Sequence, residues 1–566
     1  MKIYLLLTTL LTLGIWKAIS SREVPAAKKR TFIYCAPSFD PDIWKNGDAP
    51  LLKGLGNLHY KITTGSDSAQ KFFDQGLALT YGFNHGEAFR SFRTALKHDS
   101  TCAMAYWGIA MVLGPNYNVP LNPSSLADIN EAIGNAVKYS AGTTPKEKAL
   151  IHTMTVRFPQ EEVEDIAPYY EAYAQALKEA HLQYPEDMDI ASIYADALMN
   201  LHPWDLWMKD GTPQPWTPEI LAVIESILQK APSHPGAMHY YIHATEASKH
   251  AEVALPYADK LRTAMPAAGH LVHMPSHTYI RTGQYHKGVV ANEKASQADS
   301  TYIAQCRAEG FYPLVLYPHN IHFLAACAFL EGSGQKALDA ARMVSRKADR
   351  KYLAELAGVQ HFYIIPLYVM VHLGRWDEIL QEPHPGEPLL YPSAIWHYAR
   401  GMAYAAKGDL QAAGTEMKAL QKIAAKDELK ELSVWDMNTV EDLVNIAAYN
   451  LEGEIAGHKG DYATAVDRFS KAIAIEDQLT YTEPPDWFFS VRLSLGHWLV
   501  KAGKFAEAET VFRNDLETFK ENGWALKGLF NSLKGQGKDA EARAVNARFK
   551  KAWQWADMKI ESSRKY

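Results

Sequence analysis

Two stretches of the chain, GAMHYYIHATE from Gly236 and GHLVHMPSHTY from Gly269, each carry a His-x-x-x-His step. His239 and His243 form the first pair, His273 and His277 the second, and corresponding members stand 34 residues apart. Residues four apart share one face of a helix with Cβ atoms about 5–6 Å from each other, so each pair can chelate one ion. Glu246 follows His243 by three positions on the same face, as a carboxylate ligand or as a partner to a ligating imidazole. A third stretch, YPHNIHFLAACAFLEG, supplies His319 and His322. The expected metal set is therefore His239, His243, His273, His277, His319, His322 and Glu246. A centre rich in imidazole and free of thiolate suits copper, zinc or non-haem iron. Six histidines in three pairs fit two copper ions, each with about three ligands and dioxygen between them, and copper is favoured on that ground. His239, His243 and Glu246 alone fit iron or a hydrolytic zinc. Residues 240–242 are Tyr-Tyr-Ile, so the His-Glu-x-x-His step of a metallopeptidase is absent. Two plainer readings stand beside the metal site: a histidine-lined groove that hydrogen-bonds an organic ligand, and packing alone.

The interval of 34 residues points to the elements that position these side chains. Helix-period patterning dominates the chain. GLALTYGFNHGEAFRSFRTALKHD from Gly76, GMAYAAKGDLQAA from Gly401, GEIAGHKGDYATAVDRFSKAIAIE from Gly453 and GHWLVKAGKFAEAETVFRNDL from Gly496 share a small residue, a turn and an alanine at fixed offsets. These segments resemble tetratricopeptide repeats (TPR), whose unit of 34 residues is two antiparallel helices. The resemblance covers most of the chain after about residue 66. It implies an all-α, right-handed α-solenoid of TPR-like helical hairpins, with irregular insertions near residues 200–218 and 300–317. Small residues such as Gly76, Ala88 and Ala95 would let helices approach, and Phe92 would fill the space between units. The resemblance also implies that the histidine positions face the concave groove, where the family's ligands, usually peptides, bind. Pro275, between His273 and His277, either breaks that helix or starts a new one, since proline is welcome in a first turn.

The organisation expected is a signal peptide over 1–20, an extended arm over 21–66, repeats over 67–160, a histidine-rich central set over 161–345, and further repeats with a capping helix over 346–566. The signal reading rests on Lys2 before an apolar run from Ile3 to Ile15 and small residues at Ala18 and Ser20. An uncleaved anchor is the alternative, although the run is short for a span. An exported protein, periplasmic or extracellular, is expected. A formal charge of −6 over 566 residues, without a basic stripe, argues against a nucleic-acid partner. Cys35, Cys102, Cys306 and Cys327 allow two disulfides or stay as buried thiols. The functional expectation is a copper- or iron-dependent oxidoreductase acting on a small molecule in the groove. Its alternative is a non-enzymatic scaffold that binds a peptide or protein partner, with the C-terminal repeats as a further partner surface.

Other residues near the motifs receive plainer readings. Tyr240, Tyr241, Tyr279, Met238 and Met274 are read as packing, and His85 as structural. His270 is placed where it can approach the groove, and His361 faces it from farther off. His202, Trp204, Trp207 and Trp216 belong to an insertion that either covers the groove or packs at the surface. TEPPDWFF (residues 482–489) reads as a proline-broken link.

Overall fold

The computed structural model describes residues 47–386 and 388–565. The expected signal peptide and the first part of the arm lie outside the described residues.

From Asp67 onward the chain is a succession of antiparallel helix pairs, among them Asp67–Tyr81 with His85–His98, Leu390–Ala406 with Leu410–Ala424, and Val440–His458 with Tyr462–Glu476. Local chemistry starts these helices: Ser66, Asn84 and Asp187 each accept a hydrogen bond from a backbone N–H of their first turn. Thr144 and Glu147 cap each other's backbone reciprocally. The pairs stack because small residues let them. A Cβ on Gly76 or on Gly108 would stand 2.5 or 2.6 Å from the ring of Phe92, so that ring is clasped between two glycines of different helices. The result is a TPR-like, all-α solenoid; the described sheet is one two-residue hairpin, Ser433–Val434 with Asn438–Thr439.

Residues 47–66 form no helix and run along the first pair, where Ala49 N–H donates to Thr94 Oγ1 and Leu52 N–H to Gln75 Oε1. Buried apolar side chains make two large clusters, one from Ala49 to Tyr279 and the other from Ile280 to Ile560. Their boundary falls inside the helix Pro275–Arg281, at the histidine motifs. The segment Tyr312–Glu331 is long and apolar enough to span a bilayer, but 83% of its most apolar 18 residues are buried as repeat core.

The end of the chain differs from the expected capping helix. Helix Asp539–Ala552 stops, and residues 553–565 continue without helix. Asp557 accepts from the N–H groups of Gly334 and Gln335, while the Arg564 guanidinium reaches buried Glu454 and Ser494. The late repeats therefore close back on the middle of the solenoid. Cys102, Cys306 and Cys327 are buried free thiols, so no disulfide forms among the described cysteines.

Candidate metal centre

Three short helices carry most of the site. Pro235 opens Pro235–Glu246, with the His234 ring capping the N–H of Ala237. Glycine begins Gly269–His273, and Pro275 begins Pro275–Arg281 after one joint at Met274. Pro275 thus starts a helix rather than kinking one, and His273 ends the segment before it. Gly269 is required by its neighbour, because a Cβ there would stand 1.8 Å from Asp299 Oδ1.

These helices, with Tyr317–Glu331, bring six imidazoles into two groups of three: His239, His243 and His270, then His273, His277 and His319. Within each group the ligand atoms all lie within 4.8 Å of one another. The groups adjoin, with ring centroids 5.7 Å apart for His243 and His277 and 5.8 Å apart for His270 and His273. Five of the six residues are buried; His319 keeps partial exposure.

Oxygen acceptors hold the Nδ1 side of four rings and leave Nε2 to face inward. His239 Nδ1–H donates to the Tyr81 carbonyl at 2.7 Å. His273 Nδ1–H donates to Asn292 Oδ1 at 2.6 Å, and Asn292 Nδ2 donates to the Gly288 carbonyl, which fixes its amide. Glu246 spans the two groups: Oε1 is 3.0 Å from His243 Nδ1, and Oε2 is 2.5 Å from His277 Nδ1. Such oxygen partners set the tautomer and aim of ligating imidazoles.

Several nitrogens face no protein partner: His239 Nε2, His243 Nε2 and both ring nitrogens of His270. At about 1–3 kcal/mol for each buried unsatisfied group, these four cost roughly 4–12 kcal/mol. An ion bound by one nitrogen of each of the three rings would satisfy three of the four.

The electrostatics divide the rings. Burial, together with neighbouring histidines, pushes His239, His270 and His273 well below the ordinary imidazole value. Burial and the His277 charge lower His319 to about 3. Burial also lowers His243, against the pull of Glu246. His277 is the exception. Burial would lower it, but Glu246 and Glu483 outweigh this and raise it to about 9. The same contact holds Glu246 below its usual range despite its burial. A protonated His277 donates Nε2–H to His273 Nε2 at 3.0 Å. Ligand nitrogens about 2.0–2.1 Å from one ion stand about 3.0–3.4 Å apart, so an ion can take that proton's place.

Of the residues singled out in the sequence, His239, His243, His273, His277 and His319 come together, and Glu246 bridges them from behind rather than pointing between the rings. His322 does not join: it stacks on Phe488, 4.9 Å away, and faces His361 at 5.6 Å. Three helical positions turn a side chain by about 300°, so His319 and His322 diverge by about 60° on their helix. His270 completes the first group, and its spacing to His273 and His277 (i, i+3, i+7) was the available signal. Glu483, 3.0 Å from His277 Nδ1, comes from the proline-broken link and carried no periodic signal.

The rings do not line an open groove. Phe83 and Tyr117 lie against them, and Trp204 of the insertion sits 5.7 Å from His243. Trp207 donates to the Ala244 carbonyl, which ties that insertion to the first histidine helix.

No family model and no curated protein matches the chain. Among solved structures it is similar to the human IFIT1 dimer with m7Gppp-AAAA, at 13% identity and a TM-score of 0.31, over 87% of this chain and 91% of that one. It is likewise similar to the APC/C hetero-tetramer Cut9-Hcn1, at 14% identity and 0.30, over 87% and 74%. Yeast Tom70 gives 11% and 0.26, over 87% and 92%. Likenesses this distant carry no argument about activity. Fold and site by themselves define a TPR-like solenoid with a buried cluster of imidazoles.

Proposed function

We propose that the chain is a metalloprotein with a dinuclear centre, copper by preference, that binds dioxygen and oxidises a small organic molecule after export. The observation that supports this most strongly is the pairing of two buried three-histidine groups, free of thiolate, with one carboxylate behind both. Three neutral imidazoles suit one copper ion, and two such sets side by side suit two ions that share dioxygen. His239, His243 and His270 would hold one ion, and His273, His277 and His319 the other. The ions would supply the redox chemistry. The protein's part is to fix the ligand nitrogens through Tyr81, Asn292 and Glu246, and to exclude bulk water with Phe83, Tyr117 and Trp204. A TPR-like solenoid also suits partner binding, and a partner on the later repeats is compatible with the same centre.

The test is metal analysis followed by spectroscopy. Protein loaded with cuprous ion under argon and desalted should retain two equivalents of copper. Admitting dioxygen should then change its absorption spectrum, and the His243→Ala variant should lose that change. Retention of one equivalent or less, or a spectrum indifferent to dioxygen, overturns the reading.

A further inference from the structure

A cavity of about 430 Å³ opens beside the first histidine group. Its aromatic lining includes Phe83, Tyr302, Phe311 and Tyr312, and its polar lining includes His85 and Asn116. Phe83 belongs to both places. Its ring centroid lies 4.4 Å from His239, 5.9 Å from His243 and 5.7 Å from His270, so one phenyl ring separates the cavity from all three imidazoles. The backbone is bent to put it there, with φ +54° at Phe83, a left-handed conformation that a bulky residue rarely adopts. Tyr312 holds the backbone of His270, since its hydroxyl accepts the His270 backbone N–H and donates to Asp299 Oδ1. His270, touched by both residues, is the ligand whose two ring nitrogens have no protein partner.

The polar side of the cavity favours a neutral guest. Its charges balance: Glu87 Oε2 is paired with Arg90 at 2.9 Å, and Arg307 and Glu309 on the exposed side of the lining are one of each sign. Burial, with Arg157 nearby, lowers His85 to about 4, so its ring is neutral; its Nε2 lies 3.4 Å from Asn116 Nδ2. Asn116 Nδ2 is the donor to that nitrogen at a long 3.4 Å, and a guest hydroxyl can insert there, donating to His85 Nε2 and accepting from Asn116 Nδ2, while the aromatic walls accept a flat ring.

We propose that this cavity binds a small neutral phenol, with Phe83 as the gate between the guest and the His239–His243–His270 group, and His85 as the residue that positions the phenolic hydroxyl. The proposal rests on the dinuclear reading for its chemistry. With a 1,2-diphenol as guest, each molecule gives up two electrons and its two hydroxyl protons to become a quinone. Two diphenols together reduce one dioxygen to two waters, which balances the four electrons and four protons.

Binding and oxidation are measured separately, so the two readings can fail separately. Metal-free protein titrated with phenol in a calorimeter should bind one equivalent, and Val119→Trp, which fills the cavity, should abolish that binding. In copper-loaded protein the same variant should lose at least tenfold in catechol oxidation, while two coppers and the response to dioxygen remain. Phe83→Ala should raise kcat/KM for catechol about tenfold with copper retained. His85→Phe should raise KM more than it lowers kcat. Ala308→Trp, elsewhere on the lining, serves where Val119→Trp does not fold. Phenol binding without bound copper would leave the cavity assignment standing and remove the dinuclear reading. Phenol binding and catechol oxidation both unaffected by either tryptophan would overturn the proposal and point instead to the partly exposed side of His319.

Discussion

Glu246 is the residue on which both halves of the centre lean. Its two oxygens hold Nδ1 of His243 and of His277, one ring from each group. Glu246→Gln keeps the volume but replaces one acceptor by a donor, which cannot face a ring N–H. Metal affinity should therefore fall about 10–100-fold at the ion whose ring faces the amide nitrogen, as read by competition with a chelator. His239→Ala touches one group alone and should leave one ion bound. His277 adds a protonic signature. In metal-free protein its pKa is raised to about 9, whereas a ligating imidazole must give up its Nε2 proton. Metal uptake at pH 7 should release about one proton per chain, measured by calorimetry in buffers of different ionisation enthalpy. The release should fade as pH passes 9. Because that pKa is raised and that of Glu246 lowered, the ion pair's contribution to metal-free stability is full between about pH 4.5 and 6.5, is lost as pH rises through 9, and is lost at the acid end as pH falls toward 2.

At the scale of elements, glycines separate what the fold needs from what the centre needs. A methyl on Gly76 presses on the Phe92 ring and on none of the centre's histidines, and Gly76→Ala should cost about 1–3 kcal/mol in denaturant unfolding with metal stoichiometry unchanged. A methyl on Gly269 meets Asp299, which holds Tyr312 and Asn320 beside the second and third histidine helices. Gly269→Ala should cost a similar amount and also weaken metal retention. The helix pairs were legible because small residues and turns recur at fixed offsets, and the clasp of Phe92 is that pattern made physical. The histidine pairs were legible for the same reason, as equivalent positions of successive repeats. His270 was legible only as a residue able to approach the groove, because its place among the ligands needed the helix phase around Pro275, and Glu483 was not legible, because it needed a tertiary contact across about 200 residues of chain. Burial of the rings also lay beyond periodicity, because Phe83, Tyr117 and Trp204 reach them from turns and an insertion rather than from repeat positions.

The whole molecule matters because the centre is assembled where its two apolar clusters adjoin, from residues between Tyr81 and Glu483. The tail contributes to keeping the late repeats in place. Arg564 pairs with Glu454, both buried, and Arg564→Ala would remove the carboxylate's cation, leaving the Trp498 indole N–H against the same oxygen. The expected loss is about 3–5 kcal/mol in unfolding free energy, seen as a lower thermal midpoint, with two ions still bound below the transition. The claim that two adjacent groups of three imidazoles share one dinuclear centre is tested most directly by anomalous diffraction at the copper edge on crystals of copper-loaded protein. Two peaks should appear about 4 Å apart, one against Nε2 of His239, His243 and a nitrogen of His270, the other against His273, His277 and His319. A single peak, or copper bound elsewhere on the chain, would contradict it.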